Sequence, residues 1–116
     1  MEISEEVLEG QVHKIILSGR MDIDGVGRIE TRFAGMTASP RMAIIVDMSN
    51  VPFMSSIGIR ALVMNAKAVG RRGGRFVVLN PAENVRNVLA SSGIDKLIPV
   101  CSGLEDAIAM AGPTAT

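Results

Sequence analysis

Tryptophan and tyrosine are absent from this chain, and phenylalanine occurs three times in 116 residues. Its core must therefore be filled by aliphatic and methionine side chains. The aromatic platform on which single-stranded nucleic acids stack is missing as well. A single cysteine, Cys101, excludes an internal disulfide framework. With one histidine, His13, beside it, a zinc site of Cys/His composition lacks ligands. Excess charge is lacking too: Lys+Arg and Asp+Glu each number 12, so the formal net charge is zero. That balance gives no long-range grip on DNA or anionic lipid. No apolar stretch approaches a membrane span, and Met1-Glu2-Ile3-Ser4-Glu5-Glu6 has neither the basic start nor the apolar run of a signal peptide. The expectation is a cytoplasmic protein.

What is present is ample apolar material, 47% of the residues, enough for one core in a chain this short. Residues 1–112 read as one domain and 113–116 as a flexible tail. Val7-Leu8 and Val12 to Leu17 are short apolar runs separated by Glu9-Gly10, the pattern of a hairpin. Asp22 and Asp24 offer N-caps for a helix with apolar residues at Val26, Ile29, Phe33 and Met36. Met42–Asp47 is continuously apolar up to its last residue, as a strand covered on both faces should be. A second helix carries Ile59, Leu62, Val63, Ala66 and Val69 on one side and stops at Gly70. Arg75–Leu79 is the next buried strand. Asn80 as N-cap, Pro81 and Glu83 announce a third helix that Gly93 stops. Leu97–Val100 reads as an edge strand because of its internal proline. Ser102 and Glu105 frame a capping box for a last helix with Leu104, Ile108 and Ala111 inward.

The order ββαβαβαβα implies a mixed, mostly parallel sheet with right-handed crossovers. Parallel strands carry their carboxyl ends to one rim, so the turns near Asp22 and near Ser55-Ser56 should be neighbours. In open α/β sheets that rim is where ligands and partners bind. The segment Asp47-Met-Ser-Asn-Val-Pro-Phe53-Met54-Ser55-Ser56-Ile57-Gly58 takes a buried strand through a loop to a pair of serines that opens a helix. Either serine can cap that helix by accepting a backbone N–H bond. A hydroxyl at a helix N-terminus is also an exposed phosphoryl acceptor, where the helix dipole favours the resulting dianion. Met21 and Met54 flank this rim as adaptable apolar contacts.

Other chemistries find little support. There is no Gly-x-Ser-x-Gly elbow for a hydrolase triad, no Gly-x-Gly-x-x-Gly and no phosphate-binding loop. His13 is expected on an exposed or edge strand. Arg71, Arg72 and Arg75 follow the second helix, where they complement its negative end. Cys101 is expected to be partly buried. The chain reads as a binding module without catalytic residues, metal or cofactor.

The pattern of an apolar strand, Asp47, Phe53-Met54, a serine pair, Gly58 and an amphipathic helix resembles the STAS domains, best known as bacterial anti-sigma factor antagonists. Gly19-Arg20-Met21-Asp22, Gly74, Val85/Val88/Leu89 and Glu105-Asp106-Ala107 extend the resemblance along essentially the whole chain. It implies a right-handed βα superhelix and a phosphorylation-controlled partner switch in signal transduction and transcription regulation. In such a switch the unphosphorylated domain binds an anti-sigma factor serine kinase of the histidine-kinase-like ATPase fold, which releases a sigma factor. Phosphorylation ends the interaction and a serine phosphatase restores it. Carried over, Ser56 is the phosphorylated serine, and Asp22, Asp24, Met54, Ser55, Gly58 and Arg60 join it in the partner-binding set. The chain departs from the motif at Ser55, where the family has an acidic residue, and at Ile57, where it has Ser or Thr. These departures leave the cognate kinase open and make Ser55 an alternative acceptor. A STAS subunit of a transport or other signalling complex, never phosphorylated, is the second function class.

Overall fold

The computed structural model describes residues 1–112; the predicted tail at 113–116 lies outside the described residues. The elements follow the expected order: β1 (Glu2–Leu8), β2 (Val12–Ser18), α1 (Ile23–Met36), β3 (Ala43–Asn50), α2 (Ser56–Arg71), β4 (Arg75–Leu79), α3 (Glu83–Ser91), β5 (Val100–Cys101) and α4 (Leu104–Ala111). A short 3₁₀ turn, Ile94–Lys96, precedes β5. The sheet order is β1-β2-β3-β4-β5, with β1 antiparallel to β2 and all other pairs parallel. Ile45 opposes Val77 and Val46 opposes Val78 across β3 and β4, the two strands joined by α2.

Alternation along the strands divides the core between two faces. Ile15, Leu17, Ile44, Val46, Met48, Phe76 and Val78 pack with Val26, Ile29 and Phe33 of α1, Leu62 and Val69 of α2, and Val85 and Leu89 of α3. Val12, Ala43, Ile45, Val77, Leu79 and Cys101 point the other way, onto Ala107 and Ala111 of α4. The short α4 covers only the β3–β5 side of that face. Lys14, half-buried on β2, reaches Asp47 at 3.7 Å and Glu6 at 3.9 Å there. Phe33 and Phe76 meet across the larger core with ring centroids 6.3 Å apart.

Several local expectations are corrected. Asn80 does not cap α3: its φ is +49° and its N–H donates to the Cys101 carbonyl at 2.7 Å, extending the sheet past β4. The helix therefore begins at Glu83, with Ala82 at the N-cap and no side-chain cap bond. Its predicted stop holds, because Gly93 takes φ +77°, a conformation open to a residue without Cβ. The strand expected at Leu97–Val100 shrinks to Val100–Cys101. The N–H groups of Leu97 and Ile98 both donate to the Ile94 carbonyl, closing a turn instead of a ladder, and Leu97 is 67% exposed. Ser102 caps nothing; Gly103 holds the N-cap position of α4, and Ser102 Oγ instead lies 3.2 Å from Arg86 Nη2, which donates to it. Leu104 faces outward, and Ala107 replaces it in the core.

The arginines after α2 also serve other helices. Arg72 Nη1 donates to the Thr37 carbonyl just past α1, and Arg75 Nη1 to the Met110 carbonyl of α4. His13 lies on β2, which is flanked by β1 and β3, and is half-buried with Nδ1 3.1 Å from Glu5 Oε2. Among the described residues no helix is long and apolar enough to cross a membrane.

Candidate functional site

At the carboxyl rim of β2 and β3 two turns are joined directly. Met21 and Met54 form an isolated parallel bridge. The Met21 N–H donates to the Phe53 carbonyl at 2.9 Å, and the Ser55 N–H returns to the Met21 carbonyl at 3.0 Å. The parallel pairing of β2 and β3 thus continues past the ends of both strands, up to the first turns of α1 and α2. It forces the Asp22 and Ser56 turns to be neighbours.

Ser55 occupies the N-cap position of α2 but makes no side-chain cap bond. Its hydroxyl donates to the Met21 carbonyl at 2.9 Å, and in that orientation Oγ accepts from no N–H of the first turn. Ser56 follows as the first helical residue, and it is exposed. The two candidate acceptors therefore differ: one hydroxyl is committed and half-buried, the other faces solvent at the positive end of the helix dipole.

Asp22 does cap its helix. Its Oδ1 accepts from the Gly25 N–H at 2.8 Å. Arg20 Nε lies 3.4 Å from Asp22 Oδ2, and the same guanidinium stands 4.3 Å from the centroid of the Phe53 ring. The Gly25 N–H holds the Asp22 carboxyl below its ordinary pKa; partial burial opposes this and Arg20 adds to it. The rim thus carries a persistent carboxylate in the turn bridged to that of Ser56. Asp24 on the first turn of α1 and Arg60 at the start of the second turn of α2 are exposed.

Met21, Met54 and Gly58 do not present themselves to a partner. Met21 is fully buried and Met54 nearly so. They link the two turns from inside, where an unbranched side chain fills an irregular gap. Gly58 is buried against them: a Cβ there would stand 2.8 Å from Met21 Cγ and 2.9 Å from the Met21 carbonyl oxygen. Its role in the rim is close approach, not contact with solvent. In their place the structure exposes Ile23 (77%) and Ile57 (36%), the residues that follow Asp22 and Ser56.

Two supporting residues escaped sequence reasoning. Arg20 ties Phe53 to Asp22, and Asn84 on α3 donates from Nδ2 to the Pro52 carbonyl at 2.7 Å, pinning the β3–α2 loop. Asp22 is two positions from Arg20, but Phe53 lies 33 away and Pro52 lies 32 from Asn84, so local pattern carries no signal for either long-range tie. His13, the only histidine, stands five residues before the end of β2, roughly 17 Å back from the rim at strand spacing. It cannot act as a base for either serine.

The family model of the STAS domain matches residues 3–107. Among curated proteins, the chain is 25% identical over 92 residues to the anti-sigma-F factor antagonist RsfB of Mycobacterium tuberculosis, covering 79% of this chain and 75% of that protein. Among solved structures, an anti-sigma factor antagonist from Mycobacterium paratuberculosis superposes with a TM-score of 0.82 at 24% identity, over 95% of this chain and 92% of the other. The Bacillus cell fate determinant SpoIIAA in its phosphorylated form superposes with a TM-score of 0.67 at 22% identity, over 93% and 97% of the two chains.

Proposed function

The chain belongs to the STAS domain family, and from that premise we propose that it is a cytoplasmic anti-sigma factor antagonist that acts by binding. Unphosphorylated, it captures an anti-sigma factor through the Asp22–Ser56 rim and so frees a sigma factor. The captured partner is a serine kinase of the histidine-kinase-like ATPase fold. Its phosphorylation of Ser56 ends the complex, and a serine phosphatase resets it. The observation that carries this reading is the contrast between the exposed Ser56 hydroxyl at the start of α2 and the Ser55 hydroxyl bound to the Met21 carbonyl. It favours Ser56 as the acceptor. Relatives named as anti-sigma factor antagonists, one of them solved in a phosphorylated form, support the same reading.

Two physical terms separate fold from function at Ser56. Within the domain, a dianion near a helix N-terminus gains on the order of 1 kcal/mol. At an interface fitted to a neutral hydroxyl, the same charge must be desolvated without a partner, at a cost of several kcal/mol. Arg20 is already paired with the neighbouring Asp22 carboxylate and stands over Phe53, so a phosphate on Ser56 adds charge for which a partner fitted to the unmodified rim holds no cation.

The test is incubation with candidate serine kinases and ATP, with intact-mass measurement and site mapping, followed by calorimetry of the variants. Ser56→Asp should fold normally and bind the anti-sigma factor weakly. Ser56→Ala should bind and resist inactivation. Equal affinities for the two folded variants would reject the switch and favour a STAS subunit that is never phosphorylated.

A further inference from the structure

Between α1 and α2 an open groove of about 520 Å³ runs along the outer surface. Small side chains line its middle, Ala34 from α1 and Ala61 and Ala68 from α2, and Met64 stands among them 60% exposed. The two helices are held at a fixed spacing beneath it. The buried Thr37 Oγ1 lies within 3.2–3.3 Å of the Phe33 and Ala34 carbonyls of its own helix and of Asn65 Oδ1 on α2, and Asn65 Nδ2 donates to the Ala61 carbonyl at 2.8 Å. The groove therefore has a braced floor and an apolar knob in an apolar hollow.

Its ends carry opposite charges, Glu30 from α1 and Arg71 from α2, both exposed. Among the described residues neither is in an ion pair. Both helices start at the same rim and run the same way, with Thr37 and Asn65 in contact. Glu30 lies seven residues before Thr37, and Arg71 six residues after Asn65. At helical rise the acid is about 10 Å to one side of that contact and the base about 9 Å to the other. Met64 sits near the midpoint.

A face with an acid at one end, a base at the other and an apolar knob between them is complementary to itself under a two-fold axis. We propose that this groove docks a second copy of the same chain, antiparallel, with Glu30 of each copy against Arg71 of the other. The Met64 side chains fill the facing hollows. The zero net charge of the chain sets no long-range repulsion against such pairing. The proposal is independent of the switch reading and stands whether or not Ser56 is phosphorylated.

The face is narrow beside the roughly 800 Å² per partner of a standard interface, so the dimer should be weak and dependent on concentration. Sedimentation equilibrium of the full chain over roughly 1–500 μM should show the mass rising from 12.3 kDa toward twice that value. Each charge reversal acts at two symmetric pairs, so Glu30→Arg or Arg71→Glu alone should weaken dimerisation by about tenfold. Met64→Glu should abolish it. All three positions are exposed, so at a concentration where the parent is monomeric the Glu30→Arg and Met64→Glu variants should melt with it, and Arg71→Glu should fall only by the small loss of a cation at the end of α2. The double variant Glu30→Arg/Arg71→Glu should restore the dimer. A chain that stays monomeric throughout, a dimer indifferent to these substitutions, or a double variant that fails to recover would overturn the proposal. A monomer whose binding to an anti-sigma factor is lost in Met64→Glu would also overturn it, assigning the groove to a different protein.

Discussion

Replacing Gly58 with alanine sets two effects against each other in the element that joins the rim. Alanine is the better helix former by about 1 kcal/mol in a helix interior, and by less this close to the N-terminus. Against that, the new Cβ would stand 2.8 Å from Met21 Cγ and 2.9 Å from the Met21 carbonyl oxygen, with Met21 Cβ at 3.2 Å. The Met21 side chain is fully buried, so it cannot swing out into solvent without disturbing its neighbours. The carbonyl is no easier to move, because it accepts from both the Ser55 N–H and the Ser55 hydroxyl. Overpacking of this kind costs about 1–3 kcal/mol, and weakening either hydrogen bond adds about 0.5–1.5 kcal/mol. The net is a loss of about 1–4 kcal/mol, a fall in Tm of roughly 4–16 °C for a domain of this size. Gly27 supplies the control: it lies inside α1, and a Cβ there meets nothing within 4 Å. Gly27→Ala should therefore stabilise by about 0.5–1 kcal/mol. Scanning calorimetry of both variants reads the contrast directly. A Gly58→Ala protein that melts at or above the parent would refute the reasoning, since propensity alone would then account for both positions.

Asn84→Ala removes the bond to the Pro52 carbonyl, so stability should fall by about 1 kcal/mol and amide exchange in residues 51–55 should quicken; unchanged exchange there would show that the loop needs no such pin. Asp22→Asn keeps a cap acceptor and loses the titration. The Asp22 pKa is depressed in the folded protein, so its charge-dependent stabilisation is complete above the ordinary carboxylate value of about 3.9 and is lost as pH falls through the lower folded value. The Tm gap between parent and Asp22→Asn should narrow below about pH 4, and a gap constant from neutral to acid pH would contradict the assignment. Burial, aided by Asp106, pushes the Cys101 thiol up, so alkylation at mildly alkaline pH should be slow until denaturant is added; rapid labelling of the folded chain would contradict its burial.

Much of this architecture is written in local patterns. The two apolar runs at β3 and β4, with an amphipathic stretch between them, report parallel strands covered on both sides. Asp22 marks a helix start that the structure keeps, and Gly93 a stop that it keeps. Because β2 and β3 are parallel, the meeting of the Asp22 and Ser55-Ser56 turns also follows from element order alone. These features are decided by residues close in sequence or by topology, and no distant side chain competes for them.

The expectations that failed are those in which a local bond had a distant rival. Asn80 could cap the helix ahead of it, but the Cys101 carbonyl, 21 residues on, takes its N–H into the sheet. Ser55 could cap α2, but the Met21 carbonyl, 34 residues back, already faces it. Leu97 and Ile98 carry strand-like residues, yet their N–H groups close onto Ile94. Met21 and Met54 look like surface contacts in a rim loop, and the bridge between them turns both inward. Local pattern is enough for the hairpin, the three longer helices, β3 and β4, their order, and the rim on which the Asp22 and Ser56 turns meet. Which of the two serines is free is a matter of the fold, because packing across the whole sheet brings the Met21 carbonyl within reach of the Ser55 hydroxyl and leaves that of Ser56 in solvent.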